Sequence, residues 1–478
     1  MPDNNDNNNS PDGKAPSTNA ASRLAQVSNH LSAPPTANTS KPRRRRRSTN
    51  PADDLPADYS DILGQLSTLH TLATTPSPSH RGYARQKASG KLWVRERVAQ
   101  LFDADSFREV GSASGTVTWT PDASNRQREA ATAFTPSNNV QGAGALRGRR
   151  VLFTADDFAL RAGHADGALA AKTVYMERLA LALRLPIVKL VDGSSGGGSV
   201  TTIRAEGWSY VPPMPGFAEV NEAECFEQLR TRERMYNPRK IITSVVDQGS
   251  WFEIGALWGT TAIVGLARIG GRSVGIVSLN CEVNAGALDA LGSQKITRHL
   301  KFLDIFNIPM VQFVDIPGYA VGTVAERTAT MRHGVTLATT YYSTTIPIFS
   351  VIVRRVYGVA GGIMVDSRDP HMRVAWPSGE WGSLPLDGGI EVGHAHELKE
   401  IERKEGAEKM KERYKELELE YRRLMNPVRT ANAFGIEEII DPAVTRPVLA
   451  EWVKHMYEVL LPLRVQQRAA GTLTPTFV

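Results

Sequence analysis

Two stretches of this 478-residue chain decide its fold: GRRVLFTADDFALRAGHADGALAAKTVYMERLALALRLPIVKLVDGSSGGG at 148–198, and GRSVGIVSLNCEVNAGALDALGSQKITRHLKFLDIFNIPMVQFVDIPGYAVG at 271–322. Gly148 falls on Gly271, and the offset of 123 holds without a gap. It pairs Arg149 with Arg272, Gly163 with Gly286, Asp166 with Asp289, Lys172 with Lys295, Pro186 with Pro309 and Asp192 with Asp315. Similarity at one fixed offset over such a length is the mark of an internal duplication. Each copy has the same grammar: an apolar strand (151–154; 274–279), a Gly/Ala-rich loop, a helix (172–183; 295–306) and a second strand (186–191; 309–314). Strand–helix–strand units with apolar strands predict a parallel α/β sheet with right-handed connections and covering helices.

In such sheets, chemistry gathers at the carboxyl ends of the strands. The turns that follow an Asp in each copy, DGSSGGG (192–198) and DIPGYAVGT (315–323), are therefore the places to look. The second copy goes on through a helix near 332–342 and the strand IPIFSVIVRRV (346–356) to the glycine-rich turn YGVAGGIM (357–364). Position 357 shifted back by the offset lands in RMYNPRK (234–240), so the first copy lacks this last unit.

Bulk properties narrow the class. The length favours two domains. No apolar run approaches the roughly 20 residues that span a bilayer, so the sequence reads as soluble or peripheral. Cys225 and Cys281 are the only cysteines, too few for a disulfide framework or a cysteine metal site. The net charge of +6 is accounted for by Lys41 and Arg43–Arg47, so it sits in a tail and gives no indication of a nucleic-acid surface. Residues 1–80 are rich in Asn, Ser, Thr and Pro and read as a disordered tail. Order is expected to start at KASGKLWVRERVAQLFD, with Leu92, Arg95, Val98 and Leu101 on a short amphipathic helix.

A glycine-rich turn between a parallel strand and a helix presents unpaired N–H groups at the positive end of the helix dipole. It can bind a phosphate or stabilise an oxyanion. Neither a P-loop nor a GxGxxG at a strand–helix junction occurs, nor an HExxH. HAH (394–396) precedes a segment charged all round (396–424), which reads as one solvated helix.

The segments YNPRKIITSVVDQGSWFEI (236–254), NAGALDALGSQKITRHLKFLDIFNIPMVQFVDIPGYAVGT (284–323), RHG (332–334), VIVRRVYGVAGGIM (351–364), AWPSGE (375–380) and IIDPAVTR (439–446) resemble the carboxyltransferase (β) subunits of biotin-dependent acyl-CoA carboxylases. GKLWVRERVAQLFDADSFREVG (90–111) through DGSSGGG extends the resemblance to the N-terminal half. The resemblance implies two crotonase-like ββα-repeat domains, 81–235 and 236–478, with the site where the N-half of one subunit meets the C-half of another. It places an oxyanion hole at Ser195-Gly196-Gly197, where the N–H groups of Gly196 and Gly197 would hold the thioester oxygen. A second hole falls after Tyr357-Gly358, where those of Val359 and Ala360 would hold the biotin ureido oxygen, with Gly361 and Gly362 beside it.

By the family's scheme, carboxybiotin releases CO2, biotin removes the α-proton of the acyl-CoA, and the enolate takes up the CO2. Biotin would be carried by a separate biotin-carboxylase/biotin-carrier α subunit, the β chain would form a homo-oligomer (a dimer or a hexamer-like assembly), and no metal is called for. The family implies a mitochondrial protein, whereas MPDNNDNNN has the wrong composition for a presequence, which points to the cytoplasm instead.

Two departures stand out. Only TTIRAEGWSYVPPMPGFAEVNEAECFEQLRTRER (201–234) separates the first turn from the C-half, so the N-half is read as truncated by roughly 100 residues against the family pattern. Gly362 stands where relatives specific for small acyl chains carry a larger or acidic residue, which suggests a roomier acyl pocket or a simple need of the turn. A decarboxylase or transcarboxylase subunit and a degenerate non-catalytic paralogue are the alternative readings.

Overall fold

The computed structural model describes residues 59–75, 78–122, 128–163, 167, 169–193, 235–366, 368–382 and 386–473. Its strands are, in the N-terminal half, β1 (Arg108–Glu109), β2 (Gly115–Pro121), β3 (Glu129–Pro136), β4 (Asn139–Leu146), β5 (Arg149–Asp156) and β6 (Ile187–Leu190). The C-terminal half carries β7 (Phe252–Glu253), β8 (Ala262–Ile269), β9 (Arg272–Leu279), β10 (Met310–Ile316), β11 (Ile348–Tyr357), β12 (Arg373–Ala375) and β13 (Glu380–Gly382).

The first sheet runs β1-β4-β5-β6, and the second reproduces that order as β7-β8-β9-β10 before continuing to β11 and β12. The pairing matches step by step: β4 with β5 and β8 with β9 are antiparallel, while β5 with β6 and β9 with β10 are parallel. Even the irregular backbone repeats. The 3-10 turns Arg161–Gly163 and Asn284–Gly286 each carry an alanine at φ 52°, and the helices Ala170–Leu183 and Ala290–Phe306 each end on a left-handed residue, Arg184 or Asn307.

The duplication also reaches upstream of the aligned stretch. Arg95 grips Glu109 at 2.7 Å as Arg239 grips Glu253 at 2.7 Å. The Asp103 carboxylate accepts from the N–H groups of Arg147 and Gly148, and Asp247 does the same for Gly270 and Gly271. The ion pairs tie a helix to the first strand of each sheet, and the aspartates cap the turns between β4 and β5 and between β8 and β9. The spacing differs here because the first copy inserts the antiparallel hairpin β2–β3 between β1 and β4. Lys172 and Lys295, matched at the first offset, are both buried and donate to the carbonyls of Gly111 (2.9 Å) and Ala262 (2.8 Å).

Past β10 the copies diverge. In the second, the helix Thr330–Ser343 packs on Ala290–Phe306 and leads to β11, whose ten residues are all buried, as are the seven of β10. Parallel strands covered on both faces require this unbroken burial. In the first copy β6 is the last described strand of its sheet, and residues 194–234 lie outside the described residues. Leu181 is 68% exposed on the helix that follows β5, whereas its counterpart Asp304 is fully buried against Arg464.

Several expectations need correction. The tail does not extend to residue 80: the helix Ser60–Thr74 buries Ile62, Leu69 and Ala73, and Gln65 bonds to Glu129 and Asn426. A composition rich in Ser and Thr hid this apolar stripe at helical spacing. The helix near residue 95 is Val94–Leu101, and its buried face is Val94 and Val98, while Leu92 and Leu101 face outward. The charged segment 396–424 is two helices, Ala395–Glu405 and Ala407–Leu424, packed together and broken at Gly406. Leu398 and Leu417 are buried there, and His394 bridges Glu397 and Tyr421, while His396 is exposed. Among the described residues no helix is long and apolar enough to cross a membrane.

The two halves meet where the loop after β1 rests on the segment following Asn432. Gly111 N–H donates to the Glu437 carbonyl, and Ser112 donates its N–H and hydroxyl to the Glu438 carboxylate. Burial of that carboxyl pushes it up to about 7. A carboxyl raised in the folded state favours folding while protonated, and that stabilisation is lost as pH climbs from the unfolded value near 4.5 through 7. Glu438→Gln is therefore expected to unfold at a higher temperature than wild type at pH 8 and at the same temperature near pH 4. A variant less stable at pH 8 would contradict this.

Candidate functional site

Tyr357 ends β11 and is followed by the helix Gly358–Met364, so the expected turn is itself helical from its first glycine. Gly358 adopts φ 58°, a conformation that a side chain resists and that swings the chain sharply out of the strand. Val359 and Ala360 then occupy the first turn, where helix geometry leaves N–H groups without intrahelical acceptors. The side chain of Val359 is 68% exposed and that of Ala360 is buried at 1%.

The neighbouring glycines differ in what they permit. A Cβ on Gly361 would sit 2.7 Å from the Val356 carbonyl carbon, whereas one on Gly362 would meet nothing within 4 Å. Gly361 lets the helix lie against its own strand, and Gly362 faces open space. An apolar groove of about 440 Å³ runs between this helix and Thr330–Ser343, with walls that include Tyr319, Met331, Val335, Ala338, Val359 and Ile363. Burial pushes the Tyr319 phenol up to about 12, so it stays protonated.

Beneath the corner lies a group of buried charges to which the sequence reading assigned no role. Asp315, at the end of β10, accepts from Arg354 Nη2 (2.8 Å), Arg355 Nε (2.7 Å) and the Tyr236 hydroxyl (3.0 Å). Burial alone drives the Asp315 carboxyl upward, but the two guanidinium charges outweigh it and hold the group well below the usual carboxylate range. Arg354 also lies over the Tyr236 ring at 4.9 Å. Tyr357 itself donates to Glu380 at 2.6 Å. The signal was in the sequence: two arginines in an otherwise apolar strand require a buried counter-charge. Cys281, beside Tyr236, has its thiol pushed up to about 11 by burial and then by the Asp315 charge, which leaves it unreactive.

Thus Gly358, Val359, Ala360, Gly361 and Gly362 share one corner at the carboxyl end of β11. Ser195, Gly196 and Gly197 lie outside the described residues. The approach to them is described: Asp192 pairs with Arg97 at 2.8 Å, and its N–H donates to Asp156. Gly163 lies so close to Asp192 that a Cβ there would stand 2.6 Å from its carbonyl oxygen. Among the described residues no group of three or more His, Cys, Asp or Glu side chains is placed to hold a metal ion.

Residues 85–208 and 198–459 match the sequence profile of the carboxyl transferase domain. The chain belongs to that family. It is 35% identical over 213 residues to a propionyl-CoA carboxylase, carboxyltransferase subunit, of Haloferax mediterranei, covering 44% of this chain and 40% of that one. It is also 35% identical over 218 residues to the mitochondrial propionyl-CoA carboxylase beta chain of Homo sapiens, covering 45% and 37%. The chain thus matches about two fifths of the length of these curated relatives.

A methylmalonyl-CoA decarboxylase subunit alpha of Veillonella parvula aligns at 25% identity over 479 positions, covering 76% of this chain and 90% of that one. That relative carries stretches with no counterpart here. Among solved structures, the beta subunit of P. aeruginosa geranyl-CoA carboxylase superposes with a TM-score of 0.62 at 16% identity, covering 86% of this chain and 96% of that one. The fold is the crotonase-like α/β fold of these carboxyltransferases.

The corner makes distinct demands on its two glycines. Gly361→Ala is expected to lower stability by about 1–3 kcal/mol through overpacking against Val356. Gly362→Ala is expected to raise it by about 0.5–1 kcal/mol, the helix preference for alanine. Denaturant unfolding of both variants measures the difference, and equal effects would contradict the packing described.

Proposed function

We propose that this chain is the carboxyltransferase component of a biotin-dependent acyl-CoA carboxylase, with Val359 and Ala360 as backbone oxyanion donors of its C-terminal half-site and Gly196 and Gly197 as those of its N-terminal half-site. The observation that carries the reading is the corner after β11, where Val359 both offers an N–H in the first helical turn and forms a wall of the apolar groove. The α-proton of a thioester is weakly acidic, so catalysis needs oriented donors in a cleft that excludes water. Backbone donors of this kind contribute on the order of 10²–10³ in rate each.

The residues present suit biotin: a groove with apolar walls takes the hydrocarbon part of a ring system, and donors at its rim take a polar oxygen. Biotin, carried by a partner α subunit, supplies the carboxyl group when bound. This chain's part is to hold the acyl-CoA thioester and the cofactor's ring oxygen in one orientation and to keep water out. The open space at Gly362 favours a roomy site for the acyl group. Ser195, Gly358 and Gly361 shape the two turns and bind substrate through them. A homo-oligomer brings the N-half of one subunit to the C-half of another.

The Veillonella alignment, which takes in 90% of that relative, favours as a second reading a decarboxylase subunit that shares the enolate chemistry. The exposed Leu181 and the short 194–234 connection support a third, an N-half that has lost its final layer in a non-catalytic paralogue.

The test is carboxylation by the purified chain with a biotinylated α subunit, ATP and labelled bicarbonate, offered acetyl-, propionyl- and methylcrotonyl-CoA. Label entering at least one acyl-CoA is expected. Release of CO2 from methylmalonyl-CoA without ATP-dependent incorporation would favour the decarboxylase, and neither activity from folded protein would favour the paralogue.

A further inference from the structure

Strands β10 and β11 pair in register from Met310↔Ile348 to Val314↔Ile352, and then the register jumps to Ile316↔Val356. Two residues of β10 therefore span four of β11. On the other flank the break recurs, since β12 pairs with Ser350–Ile352 and β13 with Arg355, Val356 and Tyr357. A bulge of this kind bends a strand and re-aims the residues beyond it.

At the break, Arg355 N–H finds its acceptor in the Asp315 carboxylate at 3.2 Å. The same carboxylate takes Arg354 Nε (3.2 Å) and Nη2 (2.8 Å), Arg355 Nε (2.7 Å) and Nη2 (3.3 Å), and the Tyr236 hydroxyl (3.0 Å). Arg355 Nη2 also reaches the Ala285 carbonyl at 3.0 Å. Asp315, Arg354, Arg355 and Tyr236 are all at most 4% exposed. Without the carboxylate, two adjacent guanidinium charges would repel each other with little water to screen them. Four residues further on, Val359 starts the donor turn, and Tyr357 is tied to Glu380. The first copy offers a contrast: among the described residues Asp192, matched to Asp315, forms a salt bridge with Arg97 alone, and about a quarter of each side chain in that pair is exposed.

We propose that Asp315 is the positioning residue of the Val359–Ala360 turn, its carboxylate standing in for the missing ladder bonds so that the bulged end of β11 delivers the two N–H groups in one fixed direction. The task given to the turn rests on the function proposed above; the clamp itself does not. It follows that the turn loosens when the clamp is weakened while the rest of the sheet stays closed, and that turnover falls before acyl-CoA binding does.

The test uses the full chain with Asp315→Asn, which keeps the shape and removes the charge, and Tyr236→Phe, which removes one donor and no charge. Amide hydrogen exchange should quicken about tenfold or more over 352–362 in Asp315→Asn, and by a smaller factor in Tyr236→Phe, with β8 and β9 unchanged. In the carboxylation assay kcat should fall about tenfold or more while the KM for acyl-CoA stays within about twofold. Exchange that rises equally in β8 and β9, or that is unchanged over 352–362 in Tyr236→Phe, overturns the proposal even where Asp315→Asn fails to fold. A rise in KM matching the fall in kcat/KM also overturns it. A wild-type chain that transfers no carboxyl group would sink the proposed function, and the exchange result alone would then decide the clamp.

Discussion

A strand buried on both faces offers no water to its last residues, yet the chemistry of an open α/β sheet sits at that end. In this protein the conflict is resolved by one carboxylate. Asp315 draws two arginines and a tyrosine into the interior, so that β11 can leave its register with β10 and still have its Arg355 N–H satisfied. The left-handed Gly358, the short helix after it and the groove against Thr330–Ser343 all depend on where the bulge points the chain. A charge cluster at this depth is costly unless it is complete, and here Asp315 and Glu380 stand against Arg354 and Arg355.

The duplicated units were legible because burial writes itself into apolar strands, and because Lys172/Lys295 and Asp192/Asp315 kept their spacing. The upstream part of the repeat was not legible. Its shared features are single ion pairs and caps, Arg95–Glu109 with Arg239–Glu253 and Asp103 with Asp247, and the β2–β3 insertion shifts them to another offset. The helix Ser60–Thr74 was lost in a polar composition, and Gly406 was read as part of one helix because the charges around it are uniform. Of the candidate site, the glycines at 358–362 were placed by resemblance, and the structure brings them to a strand end. The clamp beneath them was written as two arginines in an apolar strand, a pattern that points to a buried acid without saying which one.

The two halves share a scaffold and differ in what is built on it. After β10 come two helices, β11 and two flanking strands, while after β6 the described chain ends at Gly193 and resumes at Met235. The helix face that carries exposed Leu181 in the first copy is the one that carries buried Asp304 in the second. On the proposed function, the first half takes its donors from Gly196 and Gly197, which lie outside the described residues.

The central claim, that this chain moves a carboxyl group between an acyl-CoA and biotin, can be tested without any α subunit by running the transfer backwards. Methylmalonyl-CoA labelled in its free carboxyl group is incubated with the purified chain, with and without biotin methyl ester, and loss of label from the thioester is followed. The account expects loss that depends on biotin and saturates with its concentration. Loss at the same rate with and without biotin, or none from protein shown to be folded, would contradict it.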